Sequence, residues 1–342
     1  MSNGLDQIVL VHISDLHFTQ TIVNNTFFFQ DLAGRHAHDF NLCRAFLIAL
    51  SEVRVICDLG DGEPIYVAVT GDITSAGAAT EFPVVHSFIR SRWLLRREPP
   101  RQDLGLAMSN DYLAAVPGNH DHWNGAMFFN AQAYSTEILP AHFRPTPWRK
   151  KWTSPGGKLL LEIYGIDSNS GMALLPRNAR ARGAFSPDEV TQLEELLRTS
   201  DKESVPAGVA HRIRILLTHH SPSFTAYNPP FNFMELDFAS KQALLDLAAT
   251  YRIITILTGH THDFGRVPLV GPSGGPPKWT FTEFRSAATL CGPASRQSSQ
   301  GFWVHRISLS SAGPMWHPSR FGWTGDRFVR QAHVRDPEFR IP

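Results

Sequence analysis

A chain of 342 residues has material for one large or two ordinary domains, and 42% hydrophobic with 18% charged residues exclude a disordered or fibrous protein. A formal net charge of +1 argues against a surface built to coat nucleic acid; the three widely spaced cysteines (Cys43, Cys57, Cys291) do not make a disulfide framework or thiolate zinc site and suit a reducing compartment. No stretch stays apolar long enough to cross a bilayer and Met1–Gln7 lacks the pattern of a signal peptide, so a cytoplasmic protein without membrane contact is expected.

Short apolar runs recur along the chain, and each ends in polar residues. Ile8–Ile13 ends in Ser-Asp-Leu-His, Ile65–Val69 in Thr-Gly-Asp, and Tyr112–Val116 in Pro-Gly-Asn-His-Asp. Leu159–Ile166 ends in Asp-Ser-Asn, Ile213–Leu217 in Thr-His-His, and Ile253–Leu257 in Thr-Gly-His-Thr-His. Runs of this length and composition predict buried strands. Helices are predicted between them: Phe40–Val55, a segment opened by the capping box Ser186-Pro187-Asp188-Glu189 and running to about Arg198, and Asp237–Tyr251. This alternation predicts an α/β architecture with functional groups at the carboxyl ends of the strands. After His262 the pattern changes to Trp279–Phe284, Ala287–Cys291 and Phe302–Leu309 without helices between them, which predicts a meander completing a second sheet. Residues 1–310 read as a single domain, and residues 311–342 as a C-terminal extension without an assigned role.

Five of the strand-end clusters carry the residue types of metal sites: Asp15-Leu16-His17, Gly71-Asp72, Gly118-Asn119-His120-Asp121, His219-His220 and Gly259-His260-Thr261-His262. Carboxylate, imidazole and amide oxygen together suit Mn, Fe or Zn, and seven ligands with one shared carboxylate would hold two such ions side by side. The glycines before Asp72, Asn119 and His260 permit the close backbone approach that converging ligands need. Each cluster alone has an ordinary structural reading as a turn or cap; their joint occurrence in order, each after an apolar run, favours the metal site. His-Glu-x-x-His, Walker and His-x-His-x-Asp-His signatures are absent from the sequence.

These five motifs resemble the signature of the calcineurin-like metallophosphoesterases, over Ile8 to about Leu309. The wording of His12-Ile13-Ser14-Asp15-Leu16-His17-Phe18 and Gly71-Asp72-Ile73-Thr74 is similar to the bacterial class III cyclic-nucleotide phosphodiesterases. The resemblance implies a four-layer αββα sandwich, two mixed sheets flanked by helices. It also implies one ion on Asp15, His17 and His262 and another on Asn119, His219 and His260, with Asp72 bridging. His219-His220-Ser221-Pro222 departs from the family's His-His-Pro-Pro, which leaves the choice between His219 and His220 open. His120 would face the scissile phosphate, with Asp121 either fixing its tautomer or serving as a simple turn or cap. In-line attack by a metal-bridging hydroxide is the mechanism the resemblance implies.

The expected substrate is a small phosphodiester, a cyclic nucleotide being the leading example; phosphomonoesters, nucleotide pyrophosphates, a nuclease activity and a metal-site scaffold are the alternatives. The Phe27-Phe28-Phe29 segment with His36 and His38 could stack a base or pack in the core. Basic clusters (Arg96-Arg97 and Arg101; Arg144, Arg149, Lys150 and Lys151 among Trp148 and Trp152; Arg177, Arg180 and Arg182) could hold phosphates or form solvated faces. Nucleic acid is the weaker partner given the net charge, and the enlarged loops leave room for a homodimer contact.

Overall fold

The computed structural model describes residues 6–19, 38–94, 104–123, 144–171, 182–225, 235–271, 279–291, 300–332 and 337–341. Phe27–Phe29, His36, Arg96, Arg97, Arg101, Arg177 and Arg180 lie outside them.

The first sheet is built around β1 (Gln7–Ile13), β2 (Tyr66–Thr70) and β3 (Leu113–Val116), which run parallel. On the other side of β1 the sheet continues antiparallel through β10 (Gly301–Ser310) and β11 (Gly313–Trp323), with β12 (Phe328–Arg330) and β13 (Phe339–Arg340) each pairing β11. The second sheet comprises β4 (Trp148–Thr153), β5 (Leu159–Gly165), β6 (His211–Leu217), β7 (Thr255–Thr258), β8 (Gly265–Val270) and β9 (Thr280–Arg285), in the order β4-β5-β6-β7-β9-β8. Its four central strands are parallel and its two edges antiparallel.

The continuous apolar character of β1 follows from burial on both faces. Val9, Val11 and Ile13 pack outward against α1 (Phe40–Ile56) and α2 (Phe82–Arg90), while Ile8 and Leu10 face the second sheet. Helices α3 (Pro187–Lys202) and α4 (Phe238–Thr250) cover the far face of the second sheet through Leu193, Leu197, Leu244 and Ala248. Helix, sheet, sheet and helix thus make the four-layer αββα sandwich that the resemblance implies. Trp303, Trp316 and Phe284 fill the middle, all fully buried.

Three expectations change in detail. The segments after His262 do not form one meander: β9 joins the second sheet beside β7, whereas β10 crosses to the first sheet beside β1. Ala287–Cys291 is no strand; it crosses between the sheets, touching Ser14 and His38 through single bridges at Ala288 and Cys291. The described part of residues 311–342 is no appendage, because β11 pairs with β10 from Gly313 to Gly322 and Trp316 enters the core.

The basic cluster around Trp148 and Trp152 is edge strand β4. Both tryptophans turn into the core between the sheets, Trp152 stacking on Tyr66 at 4.4 Å between ring centroids. The cations between them are engaged: Lys150 Nζ donates to the Leu113 carbonyl at 2.7 Å, Lys151 Nζ pairs with Glu203 at 2.6 Å, and Arg149 also pairs with Glu203. The chain that follows the cluster Arg96-Arg97 and Arg101 is also ordinary framework, since Leu106 and Met108 donate to the Phe88 and Ile89 carbonyls at the end of α2.

The capping box forms by half. Ser186 Oγ accepts from the Glu189 amide at 3.2 Å, but the Glu189 carboxylate turns inward and accepts from the Asp167 amide at 2.8 Å. Ser186→Ala should therefore cost about 1 kcal/mol, the usual value of a lost N-cap, measurable as a shift of the urea midpoint. An unchanged midpoint would show that Glu189 alone anchors the helix start.

Candidate metal centre

Parallel strands bring their carboxyl ends to one side of the sandwich, and every ligating motif follows such an end. Asp15 and His17 follow β1, Asp72 follows β2, Asn119 follows β3, His219 follows β6, and His260 and His262 follow β7. Backbone bonds tie the loops together: the Asp15 and His17 amides donate to the Gly71 and Asp72 carbonyls, and the Gly259 amide to that of His219.

Eight described non-glycine residues have positive φ, and five of them are Asp15, His17, Asp72, His260 and His262. Side chains with a Cβ enter this left-handed region at a cost, and such strain concentrates where a site over-determines the backbone. The glycines answer a different demand, that of space. A Cβ on Gly118 would lie 2.3 Å from Asp72 Oδ1, and one on Gly259 1.8 Å from Ser14 Oγ.

The seven residues converge. Asp15, His17 and His262 form one group whose ligand atoms all lie within 4.8 Å of one another, and Asp72, His219 and His260 form a second. Asp72 also falls within the same limit of His17 and His120, so its carboxylate stands between the two groups. His262 Nε2 is 3.2 Å from Asp15 Oδ1, and His219 Nε2 is 3.3 Å from Asp72 Oδ2, 3.1 Å from Asn119 Oδ1 and 3.2 Å from His260 Nδ1. All but His262 are buried, and His262 is partly so.

The donor set fits cations. His219 Nδ1 sits 2.6 Å from the Thr70 carbonyl and must donate there, which leaves Nε2 of the neutral ring as a lone pair. That lone pair faces a carboxylate oxygen, an amide oxygen and another imidazole nitrogen. Electron-rich atoms so crowded require a positive charge among them. Without metal, only a proton can supply it: burial opposes the charged imidazole, yet Asp72 and Asp15 push His219 up to about 9. Against the burial that would raise it, His219, His120 and His17 hold the Asp72 carboxyl well below the usual range. His260 moves the other way, held well down by burial and by His220 and His219. Imidazole, carboxylate and amide donors of this kind suit first-row transition ions.

His219, not His220, faces the donors. His220 is turned behind them, its Nδ1 2.7 Å from Ser168 Oγ and its ring 4.2 Å from that of His260 between centroids. His120 lies at the edge of the cluster, with Nε2 3.8 Å from Asp72 Oδ2. Its Nδ1 is 2.7 Å from the Ser75 carbonyl, so the tautomer is fixed by Ser75 and Nε2 is left facing the centre. Burial holds His120 below the ordinary histidine value, partly offset by Asp72.

Asp121 does not orient His120. Its carboxylate accepts from the amides of Ile73 (3.3 Å), Thr74 (2.9 Å) and Gly118 (2.9 Å) and from the Thr74 hydroxyl (2.6 Å), lacing the Gly71-Asp72 loop to the Gly118-Asn119 loop. Burial and the nearby Asp72 push its carboxyl up to about 6. The reading of Asp121 as a catalytic partner is thus replaced by a structural one. A further pair escaped the sequence reading: His122 Nε2 lies 2.8 Å from Asp167 Oδ2, both buried. Asp167 is visible in the sequence as the polar end of its apolar run, but nothing there shows which histidine meets it.

The chain is similar to GAP50, "the anchor in the inner membrane complex of Plasmodium", at TM-score 0.52 and 10% identity over 98% of this chain and 88% of that one. It is also similar to the purple acid phosphatase PPD1 of yellow lupin (Lupinus luteus) seeds, at TM-score 0.53 and 11% identity over 95% of this chain and 53% of the phosphatase. Identities this low show a shared fold alone. A search of curated protein sequences gives no match. The family model for calcineurin-like phosphoesterases matches residues 8–264, a span holding all seven converging residues and His120, and the chain therefore belongs to the calcineurin-like phosphoesterase family.

Proposed function

We propose that the protein is a dinuclear metal-dependent phosphodiesterase acting on a small phosphodiester, such as a cyclic nucleotide. Asp15, His17 and His262 would hold one ion, Asn119, His219 and His260 the other, and Asp72 both. The observation that carries the reading is Asp72 standing between two complete donor groups with His120 Nε2 beside it. Two bound cations would neutralise phosphoryl charge and acidify water, the chemistry for which such pairs serve. His120, its Nδ1 proton committed to Ser75, would present Nε2 to the phosphate and carry a proton to the leaving oxygen. The diester preference rests on the wording around Asp15 and Asp72. Manganese, iron and zinc all suit the donors, and a small ester substrate suits the net charge of +1 better than a polynucleotide. Among the described residues no helix is long and apolar enough to cross a membrane.

The test is turnover of bis-p-nitrophenyl phosphate against p-nitrophenyl phosphate by protein reconstituted with Mn²⁺. Metal-dependent preference for the diester is expected, and on a diester with an alkyl leaving group His120→Gln should lose on the order of 10²-fold, the usual scale of general-acid catalysis. Preference for the monoester would make the protein a phosphatase on the same residues. No turnover of either ester with two ions bound would favour a scaffold role, as GAP50 is an anchor.

A further inference from the structure

Glu81 is a buried carboxylate, 5% exposed, that the reading above does not use. It precedes α2, where an acidic residue suits the helix amino end, yet its side chain makes no cap bond to the helix. It turns back instead: Oε2 accepts from the amides of Ala76 (2.9 Å) and Ala78 (3.2 Å), and the Thr19 hydroxyl also bonds it. These amides flank Gly77, which presses on the turn carrying His120 so closely that a Cβ there would lie 2.5 Å from the Asp121 carbonyl and 2.8 Å from that of His120. One residue before Ala76 is Ser75, whose carbonyl receives His120 Nδ1. Ser75 is tied on its other side by its amide to the Phe18 carbonyl at 3.0 Å and by Oγ to the His17 carbonyl at 2.6 Å.

We propose that Glu81 is a positioning residue for His120, fixing the Ala76–Ala78 turn so that the Ser75 carbonyl holds the His120 Nδ1 proton and Nε2 faces the substrate. Burying a carboxylate is costly, and here burial pushes Glu81 up to about 7, a cost that helix capping would not require. Two amide donors on one turn, both held by Glu81 Oε2, instead give directional control of a third group, the Ser75 carbonyl. The catalytic consequence rests on the phosphodiesterase reading; the hydrogen bond itself does not.

The experiment therefore has two readouts. In ¹H–¹⁵N spectra of the protein loaded with diamagnetic Zn²⁺, the His120 Nδ1–H resonance, identified by its loss in His120→Gln, should be exchange-broadened or lost in Glu81→Ala and retained in Glu81→Gln, whose amide oxygen can still accept. Turnover should fall about 10- to 30-fold in Glu81→Ala with an alkyl leaving group and less than about 3-fold with p-nitrophenolate, which needs little protonation. In the His120→Gln background the same change should cost less than about 2-fold, as expected when one residue acts through the other. If Glu81→Ala does not fold, Glu81→Asp, one methylene shorter, takes its place in each comparison. An unchanged Nδ1–H resonance, or an undiminished loss in the His120→Gln background, overturns the proposal. Absence of turnover in the wild type together with loss of the Nδ1–H signal in Glu81→Ala would remove the phosphodiesterase reading and leave the positioning role standing.

Discussion

Asp72→Ala is expected to abolish phosphoester turnover, by more than about 10³-fold, since losing even one oxyanion-stabilising donor costs about 10²–10³ in enzymes. The reason lies in its position. Asp72 stands between the two donor groups, with His219, His120 and His17 close around it. Removing it leaves His219 and His260 without the carboxylate of their group, so that group should hold a cation poorly, while Asp15 still serves His17 and His262. Metal analysis should show the purified variant losing at least one of two ions. Thermal melting supplies a readout independent of turnover. A ligand at 100 times its Kd stabilises the fold by about 2.7 kcal/mol, so the wild type should melt higher with Mn²⁺ than with EDTA. Asp72→Ala should lose most of that difference. Asp72→Asn separates charge from hydrogen bonding, because its amide oxygen can still accept from the His120 amide as Asp72 Oδ1 does at 2.9 Å. It should melt near the apo wild type and still fail to gain stability from metal. A variant that kept both ions and full turnover would refute Asp72 as the bridge.

Much of the molecule is legible in the sequence because its strands are buried on both faces. Runs such as Ile8–Ile13 then need no alternation to be recognised, and their carboxyl ends point to the ligating motifs. Sheet membership is less visible. Nothing in Thr280–Arg285 or Gly301–Ser310 distinguishes a strand that stays beside β7 from one that crosses to β1, since both are apolar with polar interruptions. β11 was hidden by Pro314 and Pro318, residues that usually exclude a strand interior. They are tolerated because β13 pairs β11 only at Met315–Trp316 and β12 only at Phe321–Trp323, so Pro318 falls between the two stretches. β4 was hidden by its charges: Arg149, Lys150 and Lys151 obscure the shared face of Trp148 and Trp152. At the site the ligand types were readable from local motifs. The groups that aim them, Ser75 and Glu81, were not, because a backbone carbonyl leaves no signature and Glu81 lies outside every motif.

The same limit explains Asp121, whose place in Gly-Asn-His-Asp suggests chemistry and whose bonds are structural. Asp121→Ala is expected to destabilise the protein by about 3–5 kcal/mol, because three main-chain amides and a hydroxyl lose a shared buried acceptor, each orphaned group costing about 1–3 kcal/mol before relaxation. Asp121→Asn should recover little of this. Its oxygen can serve Thr74, but its NH₂ would then meet the Gly118 and Ile73 amides donor to donor. Unfolding in urea, with metal removed so that ion binding does not contribute, measures the effect directly. Because the carboxylate joins the loop of Asp72 to the loop of Asn119, metal affinity should fall as well, and restoring it with excess Mn²⁺ should recover most of the turnover. Stability near that of the wild type, combined with a turnover loss that grows as the leaving group becomes more basic, would return Asp121 to a role beside His120. Destabilisation with the leaving-group dependence unchanged would establish it as the clasp between the two loops.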